Sequence, residues 1–101
     1  MNKIYVFDID GTICTNTNGD YEKALPFQEI VDKINELYKS GNTIKMMTAR
    51  GSTTGIDWTD LTARQLELWG VKYHELIMNK KPHADVFVDD KAINVSSFRL
   101  L

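Results

Sequence analysis

The sequence predicts an α/β fold: a single domain over residues 1–101, with a central parallel sheet of about four strands flanked by helices. Three observations lead there. Ile4-Tyr5-Val6-Phe7 is a short, nearly continuous apolar run, as expected of a strand buried on both faces. Strand-like runs then alternate with segments of helical period. Finally, polar and charged clusters follow directly on the strand-like runs, at the edge where parallel sheets carry their ligands.

Ile4–Phe7 is the expected first and central strand, and a polar loop runs from about Thr15 to Lys23. From Phe27 to Ser40, Ile30, Val31, Ile34, Leu37 and Tyr38 fall at helical spacing between Pro26 and Gly41, which predicts an amphipathic helix. "TIKMMT" from Thr43 reads as the second strand, and "ARGSTTGIDW" carries turn residues at Gly51 and Gly55. Leu61, Leu66 and Trp69 predict a second helix from about Thr59 to Trp69, stopped by Gly70. "ELIM" and "DVFVDD" complete the pattern as two short strands. Strand and helix in alternation imply right-handed crossovers and a Rossmann-like arrangement.

With 101 residues and a net charge of −2, the chain can bury a core without a disulfide or structural metal, and it offers no basic stripe for nucleic acid. Its one cysteine, Cys14, has no partner within the chain, and no apolar run approaches the roughly 20 residues that span a bilayer. The expectation is a cytoplasmic protein with neither nucleic-acid nor membrane partners.

The expected ligand edge collects the unusual chemistry. Asp8 and Asp10 follow the first strand, Thr48 ends the second, Lys80 and Lys81 follow the third, and Asp89-Asp90 end the fourth. Carboxylates gathered in this way repel one another unless a cation or proton lies between them. An all-oxygen donor set with room for water and phosphate favours Mg²⁺, whereas His74, His83 and Cys14 lack zinc-ligand spacing and read as structural.

"DIDGT", "MTAR", "KP" at Lys81-Pro82 and "VFVDD" resemble, in order, the four motifs of the haloacid dehalogenase-like phosphohydrolase superfamily, over Lys3 to Asn94. The longer strings "FDIDGTIC", "TARGSTTGIDW", "QLELWGVKYHEL" and "KPHADVFVDDKAIN" are similar to small capless members associated with bacterial surface-polysaccharide synthesis. The resemblance implies Asp8 as nucleophile, Asp10 as acid and then base, and Thr48 and Lys81 at the phosphoryl group. It further implies Mg²⁺ held by Asp8, the Asp10 carbonyl, Asp89 and, through water, Asp90. Ile9, Gly11, Thr12, Ala49 and Arg50 are the expected substrate contacts, the N–H groups after Asp8 meeting phosphoryl oxygens and Arg50 a second polar group of the substrate.

Lys80 is the reserve for Lys81; Trp69 is expected in the core, and Trp58 at a pocket or a subunit contact. The segments between motifs leave no room for a cap domain, so the site is expected to be open unless a second copy of the chain covers it. The expected function is hydrolysis of a small phosphorylated metabolite, a sugar, polyol or amino-alcohol phosphate used in capsule assembly. Two alternatives stay open: a phosphatase for nucleotides or nucleic-acid ends, and a noncatalytic domain that binds phosphate ligands or a partner enzyme. The charge balance speaks against the first and the intact Asp8–Asp10 pair against the second.

Overall fold

The computed structural model describes residues 2–78 and 86–88. It is an α/β arrangement of β1 (Ile4–Asp8), α1 (Gln28–Lys39), β2 (Thr43–Thr48), α2 (Thr59–Leu68), β3 (Glu75–Met78) and β4 (Val86–Val88), with a short 3-10 turn at Tyr21–Lys23. The sheet order is β3-β2-β1-β4 and each neighbouring pair is parallel. Parallel neighbours cannot be joined by tight hairpins, so α1 carries the chain from β1 to β2 and α2 carries it from β2 to β3. β1 lies between β2 and β4, and its register sets Asp8 beside Met47, one residue before Thr48. The chain ends of β1 and β2 thus open on the same edge.

Burial follows the pleat and the helical turn. In β2, Ile44, Met46 and Thr48 are buried while the residues between them are half-buried, and α1 buries Ile30, Val31 and Ile34. These join Phe7, Ile9, Ile13, Cys14 and Leu66 in one apolar core, with Leu37, Tyr38 and Trp69 packed at its margin. The end of α1 is fastened to the sheet by Asn42, whose amide donates to the Leu37 carbonyl at 2.9 Å and whose side-chain oxygen accepts the Lys3 N–H at 3.0 Å. His74 has a structural role: its Nδ1 accepts the Ile44 N–H at 3.0 Å while its ring stacks on Tyr38.

The second helix turns Leu66 into the core and packs Trp69 at its margin, as expected, but it shares that buried face with Thr62 and Gln65, and Leu61 is half-buried. Two polar side chains occupy what an apolar stripe would have filled, because a buried cation on the neighbouring loop requires acceptors there. The helix starts behind Asp57, whose carboxylate accepts the Thr59 N–H at 2.9 Å; the Thr59 hydroxyl and then this N–H hold the carboxyl below its ordinary range. Among the described residues, no helix is long and apolar enough to cross a membrane.

Ile44 has no exposed surface, so Ile44→Ala leaves a cavity between sheet and helix. The expected loss is about 2–5 kcal/mol, read as a lowered midpoint of denaturant unfolding with an unchanged slope.

Candidate active site

A cleft of about 460 Å³ opens at the chain ends of β1 and β2, lined by Asp8, Asp10, Thr48, Ala49 and Arg50, with Tyr21, Trp58 and the loop from Gly51 to Ile56 forming its walls. The structure therefore brings together residues from "DIDGT" and "MTAR" that lie some tens of positions apart in the chain. Lys80, Lys81, His83, Asp89 and Asp90 lie outside the described residues.

At the floor of the site lies a buried ion pair between Arg50 and Asp10. The Arg50 side chain has no exposed surface, and the Asp10 side chain is 20% exposed. Nε of Arg50 donates to Oδ2 of Asp10 and Nη2 donates to Oδ1, both at 2.9 Å, a bidentate fork. The third nitrogen, Nη1, donates to Thr62 Oγ1 at 3.1 Å and to Gln65 Oε1 at 2.6 Å. Gln65 in turn donates from Nε2 to the Tyr21 carbonyl at 2.6 Å. The guanidinium also lies 4.6 Å from the centre of the Tyr21 ring, which meets Trp58 edge-on at 5.1 Å.

This placement revises the expected role of Arg50. Its side chain was expected to reach a second polar group of the substrate, but all three nitrogens are engaged inside the protein and the group is inaccessible. A charge removed from water must be paired and hydrogen-bonded, and Arg50 satisfies that need by gripping Asp10. It also supplies part of the charge compensation that the sequence argument assigned to a metal ion. Thr62, Gln65 and Tyr21 were not anticipated; the available signal was two polar residues, Thr62 and Gln65, three apart beside Leu66 on the inward face of a helix.

The loop after β1 is tightly self-bonded. The Ile9 N–H donates to Asp8 Oδ1 at 3.0 Å, Gly11 N–H to the Cys14 carbonyl at 2.9 Å, and Thr12 N–H to the Ile9 carbonyl at 3.2 Å. These three N–H groups, expected to meet phosphoryl oxygens, have internal acceptors because the loop must close a turn, with Gly11 at φ 83°. The Thr12 hydroxyl is buried and has no hydrogen-bond partner among the described residues. Thr48 is different: its Oγ1 accepts the Arg50 N–H at 3.0 Å, which fixes the hydroxyl at the cleft and leaves its own proton to donate. Ala49 is exposed beside it.

Cys14 packs in the core with Sγ 3.7 Å from Asp10 Oδ1. Burial first, and the Asp10 charge second, push its thiol up from 9.0 to about 12. It is an inert thiol at neutral pH.

The aspartates that line the cleft supply hard oxygen donors, Asp8 and Asp10, with the Asp10 carboxylate held by Arg50. Such donors fit Mg²⁺ and not a softer metal. Among the described residues there is no cluster of three or more metal-binding side chains.

No family model matches the chain, and no curated protein matches it significantly. Among solved structures, the fold is similar to the crystal structure of an MCSG target from Vibrio cholerae, with a TM-score of 0.77 and 24% identity, covering 100% of this chain and 89% of that one. At this identity the likeness shows the fold alone.

Two outcomes test the local structure. Gly51 has φ 85°, and a Cβ there would collide with the Ile56 carbonyl, whereas at Gly11 a Cβ would meet nothing within 4 Å. Gly51→Ala should therefore cost more than the roughly 1–2 kcal/mol of left-handed strain alone expected for Gly11→Ala, measured by denaturant unfolding. The Cys14 shift has a definite sign: the unfolded thiol ionises near 9 while the folded one keeps its proton to about 12. Stability should fall as pH rises from 9 toward 12, and Cys14→Ala should flatten that slope relative to wild type.

Proposed function

We propose that this chain is a Mg²⁺-dependent phosphomonoester hydrolase of the haloacid dehalogenase-like type, a capless Rossmann-like domain acting on a small phosphorylated metabolite. The carrying observation is that Asp8 and Asp10, two residues apart, share one cleft with the Thr48 hydroxyl delivered from the neighbouring strand.

In this reading the Asp8 carboxylate attacks phosphorus. An oxygen–phosphorus bond forms to Asp8 as the bond to the leaving alkoxide breaks, giving an aspartyl-phosphate and dividing one hard hydrolysis into two steps. Asp10 gives a proton to the departing alkoxide. It then takes one from the water that attacks the intermediate, releasing phosphate and regenerating Asp8. Each Asp10 oxygen accepts one bond from Arg50; Oδ1 also meets the Cys14 thiol, so Oδ2 keeps a further lone pair for this work. The Thr48 O–H donates to a phosphoryl oxygen where charge grows. Lys81 is the proposed cation beside that group, and Asp89 and Asp90 complete the metal ligands with Asp8 and the Asp10 carbonyl. Bound there, Mg²⁺ would neutralise charge on the phosphoryl oxygens and relieve repulsion between them and Asp8. The walls around Tyr21, Trp58 and Ile56 suit the organic part of a sugar, polyol or amino-alcohol phosphate. A role in capsule assembly, a cytoplasmic setting and a second copy of the chain over the open cleft belong to the same proposal.

Asp8→Asn preserves side-chain size but replaces the nucleophile with an amide. Phosphate release from a panel of phosphorylated metabolites should disappear in this variant, and covalently bound phosphate should be trapped only with Asp8 present. Excess EDTA should abolish wild-type turnover and Mg²⁺ should restore it. Near wild-type turnover by Asp8→Asn would end the covalent mechanism, and full activity in EDTA the metal assignment.

A further inference from the structure

We infer that Arg50, Thr62 and Gln65 are positioning residues for Asp10, so that the aim of the acid–base carboxylate is set by α2 and not by the loop that carries it. This rests on the phosphatase reading given above and concerns how the same site is held.

Asp10 lies on the loop that follows β1, where its neighbours Ile9 and Gly11 are bonded within the loop. Among the described residues, the strong bonds to its carboxylate come from elsewhere: both oxygens are gripped by the Arg50 fork. A planar fork fixes the plane of the carboxylate as well as its distance. Arg50 has its own orientation fixed in turn, since Nη1 is shared between Thr62 and Gln65, which stand three residues apart on the buried face of α2. Gln65 passes the constraint to the Tyr21 carbonyl, and the Tyr21 ring lies over the guanidinium. α2, the turn at Tyr21–Lys23 and the loop after β2 therefore converge on one carboxylate. The guanidinium itself is buried and does not reach the cleft contents, so its contribution passes through Asp10.

Displacing a catalytic group by about 1 Å can cost on the order of a hundredfold in rate. The misplaced group here would be the proton donor, so the loss should depend on how much protonation the leaving group needs. The test follows the burst of first product from an alkyl phosphate and from a nitrophenyl phosphate, in wild type, Arg50→Gln, Thr62→Val, Thr62→Ser and Asp10→Asn. Thermal unfolding is recorded for each. Thr62→Val keeps size and removes one acceptor of Arg50, and it stands in for Arg50→Gln if that variant does not fold.

The expected result is a burst-rate loss of roughly ten- to a hundredfold with the alkyl phosphate and under about threefold with the aryl phosphate in Arg50→Gln. A smaller loss with the same selectivity is expected in Thr62→Val, with KM unchanged and Thr62→Ser close to wild type. Selectivity in the same direction as Asp10→Asn identifies positioning, because general loosening of the fold would slow both substrates alike. Equal losses on both substrates in the folded variants, or no loss, would overturn the inference while wild-type activity still stands. A wild-type protein that releases phosphate from no phosphomonoester would instead remove the phosphatase reading, and the inference with it.

Discussion

The site depends on a cation that never meets solvent. A guanidinium with no exposed surface requires acceptors for its donors, and breaking such a buried pair by deleting one partner typically costs about 3–5 kcal/mol. Arg50 finds its acceptors on two different elements, Asp10 after β1 and the pair Thr62 and Gln65 on α2. The position of α2 against the sheet is consequently tied to hydrogen-bond geometry as well as to apolar contact. Its buried face gives two of three places to polar side chains, which lowers the apolar area it can contribute. The arrangement exchanges some hydrophobic burial for a defined direction at one carboxylate.

That exchange also explains what the sequence could and could not reveal. Ile4–Phe7 and "TIKMMT" were legible as strands because their apolar content is set by burial within the sheet, and α1 was legible because Ile30, Val31 and Ile34 repeat at the helical period and its buried positions are all apolar. α2 was legible as well, with Leu66 in the core and Trp69 at its margin, but the polar part of its buried face was not. Thr62 and Gln65 share that face because Arg50 is there, and nothing in a local window states that an arginine at the end of "MTAR" points inward. The same limit applied to the loop after β1. Asp8 and Asp10 could be placed at a strand end from sequence, while the consumption of the Ile9, Gly11 and Thr12 N–H groups by the turn is a property of its closure.

Cys14 shows how tightly the core and the site are joined. It belongs to the apolar cluster and also approaches the Asp10 carboxylate, so one face of that carboxylate borders hydrocarbon and a neutral thiol while the guanidinium holds it from the other segments. A low-polarity border strengthens the Arg50 fork, since Coulomb attraction grows as water is excluded. It equally raises the cost of leaving either partner alone. Stability and site geometry are here the same set of contacts.

A division of labour between the two aspartates then follows from their surroundings. Both line the cleft; Asp10 is tied on both oxygens to the buried Arg50, and Asp8 accepts the N–H of its own neighbour, Ile9. In the proposed mechanism the Asp10 carboxylate, bonded to Arg50 on both oxygens, is the acid–base group, and its main-chain carbonyl is the metal ligand. A carboxylate shared with Mg²⁺ would be a weaker base toward water, whereas one held by the arginine fork retains a lone pair on Oδ2. Asp8 has the opposite requirement. As the proposed nucleophile it would have to approach phosphorus despite the negative charge on the phosphoryl oxygens, a repulsion that bound Mg²⁺ would relieve. Two aspartates separated by a single residue thus have different surroundings in the fold, and in the proposed mechanism the buried arginine is what distinguishes the acid–base group from the nucleophile.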